Sequence, residues 1–267
     1  MRAALPFLVL LPLGACADLA YQGPPISPAA QNAALAEIRR AEAPVRRPMT
    51  EEQAKEAIAR VARRLAPAGS AVCRELGRDC SWRFIYDPSR ELNAAATGEG
   101  DIIVQRGVAE YAANDDQMAF VIAHEMAHHA ANHVQSTNTR AQLGAALGGV
   151  LASMIGSYAG LQSEGLVQGA AGIGSQLAVI SYSKAQEREA DAIGATILHR
   201  AGYDIGEARE MLVALGRLSG ETETRLLSTH PAGPDRIASF DAAVADMQAA
   251  NWQLSPAGVG GSVAPRR

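Results

Sequence analysis

Cysteine, positive charge and sequence repeats are all in short supply in this chain. Three cysteines in 267 residues are too few for a disulfide scaffold or a cysteine-rich metal module. Arginine and lysine number 24 against 28 acidic residues, for a net charge of −4. With no basic stripe along the chain, nucleic acid is excluded as a natural partner. No period of about 34 residues or similar recurs, which excludes a solenoid. What remains is a mildly acidic chain, long enough for one domain with its own core and short tethers.

The two ends read as tethers. Met1-Arg2 supplies a positive start, Leu5 to Leu13 an apolar stretch, and Leu13-Gly14-Ala15-Cys16 a small-residue cleavage site. That is the pattern of a signal peptide over residues 1–15, and it is too short to span a bilayer. Its last four residues resemble the lipobox of bacterial lipoproteins, which implies lipidation of Cys16. Ala17, in place of aspartate, implies by the same resemblance the periplasmic face of the outer membrane. Residues 16–48, broken by Gly23-Pro24-Pro25 and Ser27-Pro28, read as a lipid-anchored linker with one weak helix. Residues 251–267 read as a disordered tail. Apart from Cys16, only Cys73 and Cys80 remain, an even pair in an exported chain and hence a short-loop disulfide.

Between the tethers, residues 49–250 form the folded domain. Thr50-Glu51-Glu52-Gln53 is a capping box, followed at helical spacing by Ala54, Ile58, Val61 and Leu65. From Ser81 the period becomes two, with Trp82, Phe84 and Tyr86 marking a strand. Asn93–Thr97 and Asp101–Gln105 flank Gly98-Glu99-Gly100 as a hairpin. Asn114 caps a helix expected to run to about Val134. Residues 141–183 carry a single charge, Glu164, and suggest a buried helical hairpin, a flap or, less readily, a membrane span. Helices are expected over Ser183–Ala201, Gly206–Leu218 and Pro231–Ala250. The fold class is therefore α+β, mainly helical, with a small antiparallel sheet beside the helix that carries the chemistry.

That chemistry is His124-Glu125-Met126-Ala127-His128. Residues i and i+4 share a helix face, so two imidazoles can meet one tetrahedral zinc. Glu125 is rotated about 100° from His124, beside the metal, where it can take a proton from the attacking water. A catalytic zinc needs a third protein ligand. His129 and His133, at i+5 and i+9, point elsewhere on a continuous helix and read as solvated or capping side chains. Glu187 and Asp191 form a second i, i+4 pair, so one could bind metal while the other orients an imidazole. Spacing alone does not say which.

Taken together, Asn93-Ala94, Gly100 with Ile102-Ile103-Val104, His124-Glu125-x-x-His128 with His133, Ser183-Lys184 before Glu187 and Ala190-Asp191, and Thr229-His230-Pro231 with Arg236 resemble the M48 family of zinc peptidases, the gluzincins related to Ste24 and HtpX. The similarity covers roughly residues 50–245. It implies a zincin-like fold holding one Zn2+ on His124, His128 and Glu187, with Glu125 as general base and Asp191 supporting a ligand. His230 matches a histidine that lies near the metal in relatives, where it would either assist catalysis or block as a fourth ligand. Ala95 and Ala96 replace a bulkier residue often seen after Asn-Ala, and Lys184 stands where arginine is common. The implied function is a metalloendopeptidase of the bacterial envelope that clips unfolded or misassembled outer-membrane proteins, pairing them along Asp101–Gln105. The alternative is a lipid-anchored chaperone-like binding module.

Overall fold

The computed structural model describes residues 19–97, 100–139, 142, 182–219, 230 and 232–254. Cys16 and the leader, nearly all of the low-charge stretch 141–183, and the tail from 255 lie outside the described residues. Seven helices carry most of the described chain: α1 (Pro28–Arg40), α2 (Glu51–Glu75), α3 (Arg106–Tyr111), α4 (Asp115–Ala130), α5 (Lys184–Arg200), α6 (Ile205–Leu218) and α7 (Pro234–Ala249). Among the described residues, no helix is long and apolar enough to cross a membrane.

Caps explain where the long helices start. Thr50 accepts from the Gln53 amide while Gln53 reaches back to the Thr50 amide, the expected capping box of α2. Ser183 and Gln186 repeat the device at α5, and Asn114 accepts from the Gln117 amide at α4. Each cap satisfies amides that the first helical turn leaves without partners. α2 buries Ala54, Ile58, Val61, Leu65 and Val72 along one stripe and runs on through Pro67. Pro67 and Arg63 both lie on its exposed face, so the carbonyl deprived of an amide faces water.

The sheet is mixed rather than wholly antiparallel. β1 (Arg83–Asp87), β2 (Ala94–Ala96) and β3 (Asp101–Gln105) lie in the order β1-β3-β2. β2 and β3 make the expected hairpin, Ala95 opposite Ile103, while β1 runs parallel to β3 with Arg83 opposite Asp101. Hairpin signals are local. The β1–β3 pairing closes across 18 residues and leaves no such mark. Gly100 fits the turn into β3 at φ 84°, where a Cβ would stand 2.3 Å from the Ser81 carbonyl oxygen. Because β3 is central, Asp101–Gln105 has no free edge for a substrate strand; β1 and β2 are the edges, and β2 is the one beside Glu125.

α4 is buried nearly all round from Met118 to His128, packed between α2, α5 and α6. Ala123, Ala127 and Ala190 at its contact with α5 are fully buried, and Gly194 sits against the backbone of Ala123 and His124. Small side chains let these two helices lie close. The segment read as a linker also packs on the domain: α1 buries Ile38 against Gly216 and Ile237, and Glu37 pairs with Arg209 at 2.6 Å. Residues 251–254, assigned to the tail on sequence, still pack, with Trp252 stacked on His199 at 4.2 Å.

Cys73 and Cys80 are joined as a disulfide, Cα–Cα 6.0 Å, across a sequence separation of 7. It ties the end of α2 to the approach to β1. Closing so short a loop is worth about 2.5 kcal/mol in the chain-entropy picture. Reduction, or Cys73→Ser with Cys80→Ser, is expected to lower the thermal midpoint by several degrees without altering metal content, checked by calorimetry beside metal analysis.

Candidate metal centre

Four buried side chains meet between α4, α5 and the chain before α7. The ligand atoms of His124, His128, Glu187 and His230 all lie within 4.8 Å of one another. His124 Nε2 is 3.0 Å from His128 Nε2 and 3.4 Å from Glu187 Oε2, and His128 Nε2 is 3.3 Å from Glu187 Oε1. A tetrahedron with bonds of 2.0–2.1 Å has edges of about 3.3–3.4 Å. The two imidazole–carboxylate spacings match that figure, and the imidazole pair, at 3.0 Å, lies a little inside it.

Supporting residues fix which nitrogen faces inward. His124 Nδ1 lies 3.0 Å from Asp191 Oδ1, so its proton is held there and the Nε2 lone pair is free. His128 Nδ1 lies 2.9 Å from His133 Nδ1, and His133 Nε2 donates to Glu189 Oε2 at 2.9 Å. Both ligand imidazoles thus present Nε2 to one point, an arrangement with little sense except around a cation. Tyr182 closes the wall, stacked on His128 at 3.8 Å between centroids.

The charges balance through Arg236. Its Nε and Nη2 grip Asp191 at 2.7 and 2.8 Å, and its Nη1 reaches Glu187 Oε2 at 3.0 Å. Burial alone would raise both carboxyls, but Arg236 and the imidazoles outweigh it, holding Glu187 well below the usual carboxylate range and lowering Asp191. Burial and Arg236 oppose a charge on His124, yet its bonds to Asp191 and Glu187 prevail and push it up to about 9. Burial holds His128 far below its ordinary value. At neutral pH the metal-free cluster therefore carries a proton on His124, which a bound cation must displace.

Glu125 completes the group. It is buried, and its Oε2 accepts from the Ala96 amide at 3.0 Å. Its Oε1 has no hydrogen-bond partner and lies 3.5 Å from His230 Nε2. A carboxylate oxygen left bare in the interior is costly unless something it can serve is brought to it.

Over residues 52–244 the sequence matches Peptidase family M48. The chain belongs to this family. Family M48 membership makes it a metallopeptidase, and the four-residue cluster can hold one metal ion, consistent with zinc. Among curated relatives, the beta-barrel assembly-enhancing protease of Escherichia coli K12 is 31 % identical over 162 residues, covering 59 % of this chain and 33 % of that protein. The Yersinia pestis protein of the same name is 30 % identical over 160 residues, covering 58 % and 33 %. This M48 chain spans about a third of the length of the curated relatives it matches.

The sequence-expected His124, Glu125, His128, Glu187, Asp191 and His230 all converge here. His129 stays apart, edge-on to Trp82 at 5.5 Å. His133 departs from the reading as a solvated or capping residue: it is buried against His128. The expectation assumed one helix to about Val134, whereas α4 ends at Ala130 and Asn132 turns the chain at φ 64°. Asparagine tolerates that conformation better than most residues, so Ala131-Asn132 was the available signal. Glu189 and Tyr182 carried no recognisable signal in the sequence.

Proposed function

We propose that this chain is a zinc-dependent endopeptidase acting on extended polypeptide, with His124, His128 and Glu187 as the metal ligands. The observation that carries this reading is the bare Glu125 Oε1 beside three convergent ligand side chains. Zinc, when bound, polarises the scissile carbonyl and makes a water acidic enough to be deprotonated near neutral pH. Glu125 Oε1 takes that proton and returns it to the leaving amide nitrogen, while the Ala96 amide keeps the carboxylate aimed. Asp191, clamped by Arg236, holds the His124 ring in place.

Substrate is placed on β2. Asn93 and Thr97 bond inward to Gln105 and Asp101, so the alternating backbone of Ala94 and Ala96 points away from β3, toward α4 and Glu125. The Ala96 amide serves Glu125 and Ala94 is buried, which leaves the carbonyl of half-buried Ala96 for an incoming strand. Pairing through backbone groups is blind to sequence, and alanines at all three β2 positions leave room beside the edge. Both features suit a protease for unfolded clients. The name of the relatives supports outer-membrane β-barrel proteins as those clients, and the lipobox-like Cys16 supports anchoring on the periplasmic face of the outer membrane.

His230, as a fourth ligand, would close the site. Its Nδ1 lies 3.2 Å from His124 Nε2 and 2.9 Å from Glu187 Oε1, near enough to join them on a cation, where it would fill the coordination position that a catalytic zinc keeps open. The enzyme is then latent until His230 withdraws. His230→Ala is expected to keep one zinc and to cleave casein about tenfold faster or more, by analogy with lifting a conformational block of that size. A loss of about 100-fold would instead assign His230 to stabilising the oxyanion. The reading as a whole is tested by incubating the protein with casein, with and without a zinc chelator: cleavage that the chelator abolishes and added zinc restores supports it, and chelator-resistant cleavage overturns it.

A further inference from the structure

The hydrogen-bond chain behind His128 does not end at Glu189. Glu189 Oε1 accepts from the Tyr21 backbone amide at 3.0 Å, a buried contact across 168 residues. The Tyr21 hydroxyl donates to Asp246 on α7 at 2.9 Å, and the Tyr21 side chain is itself buried. Donors and acceptors run consistently along the path. His128, with Nε2 facing the metal position, donates from Nδ1 to His133 Nδ1. His133 then donates from Nε2 to Glu189 Oε2, and Tyr21 donates to Glu189 Oε1. His128, His133 and Glu189 are each at least 98 % buried, so in the intact chain their polar atoms rely on one another rather than on bulk water.

We propose that Tyr21 is a positioning residue of the metal centre, acting through Glu189 and His133 to fix the tautomer and ring angle of His128. The proposal rests on the reading of His128 as a ligand. Partners of this kind alter metal affinity 10–100-fold when removed from other sites. The N-terminal segment is therefore part of the metal centre rather than a passive tether. Four residues lie between Cys16 and Tyr21, a reach of at most about 18 Å over the five steps, so a lipid on Cys16 would draw directly on a segment that orients a ligand.

The test is zinc affinity of the full chain, measured by competition with a chromophoric chelator, for wild type, Tyr21→Pro, Glu189→Gln, the double variant and His128→Ala. Tyr21→Pro deletes the donor amide and, with it, the buried phenol and its bond to Asp246, so Tyr21→Phe, which loses only the hydroxyl, is measured beside it and is expected to keep wild-type affinity. Glu189→Gln keeps the shape but sets an amide N–H against one of the two donors. Tyr21→Pro and Glu189→Gln are each expected to weaken zinc binding about tenfold, and the double variant no more than either alone, because both cut one path. The cobalt-substituted forms of both variants should share one shifted visible spectrum. Melting of the metal-free proteins separates this from general unfolding, and Glu189→Gln carries the test if Tyr21→Pro does not fold. Wild-type affinity in Glu189→Gln, or additive losses in the double variant, would overturn the proposal. Wild-type affinity in His128→Ala would instead overturn the ligand assignment beneath it.

Discussion

Glu125→Gln is expected to bind one zinc as tightly as wild type and to cleave casein at least 100-fold more slowly, within the range of about 10²–10⁴ that a positioned base contributes. The substitution is nearly isosteric. The glutamine oxygen can still accept from the Ala96 amide, which now bonds Glu125 Oε2 at 3.0 Å, so the edge strand and α4 keep their places. Only the oxygen that takes the proton is changed. Because Glu125 is no ligand in this account, the metal content measured by mass spectrometry should remain at one per chain. Lost metal would mean that Glu125 sits on the zinc, and undiminished cleavage would mean that another group is the base.

Glu187→Ala should fail differently. It removes the one carboxylate within the metal-facing set and the partner of Arg236 Nη1, leaving imidazoles and a buried guanidinium around the cation. Zinc affinity should fall by more than about 100-fold, beyond what loss of a supporting residue causes, and cleavage should vanish at limiting zinc. The metal-free variant should also melt lower, since an uncompensated buried charge is destabilising. Isothermal titration with zinc reads the first effect and calorimetry of the chelated protein the second. Asp191→Ala gives the contrast: it should weaken zinc within the 10–100-fold window, because it supports His124 without touching the metal.

The parts of this fold that could be read from sequence are those whose cause is local. Ser183 with Gln186 announces α5, Thr50 with Gln53 announces α2, and the i, i+4 spacing of His124 and His128 places both rings on one face whatever the tertiary context. Glu187 and Asp191 were legible as a pair for the same reason, and their separate roles became visible only with Arg236 in position, clamping one and charge-matching both. Non-local closure was not legible. The parallel β1–β3 pairing follows from where the β2–β3 hairpin lands. His133 reaches His128 because Asn132 breaks the helix, and Tyr21 meets Glu189 across most of the chain. A pattern confined to one helix cannot report a partner from another.

One titration tests the central claim most directly. Zinc is removed from the wild-type protein with a chelator, the chelator is dialysed away, and zinc is returned in fractional equivalents while casein cleavage is followed. The account predicts no cleavage without metal and a linear rise that breaks at one zinc per chain. Cleavage by the stripped protein, or zinc bound at one equivalent with no cleavage even when His230 is replaced by alanine, would contradict it.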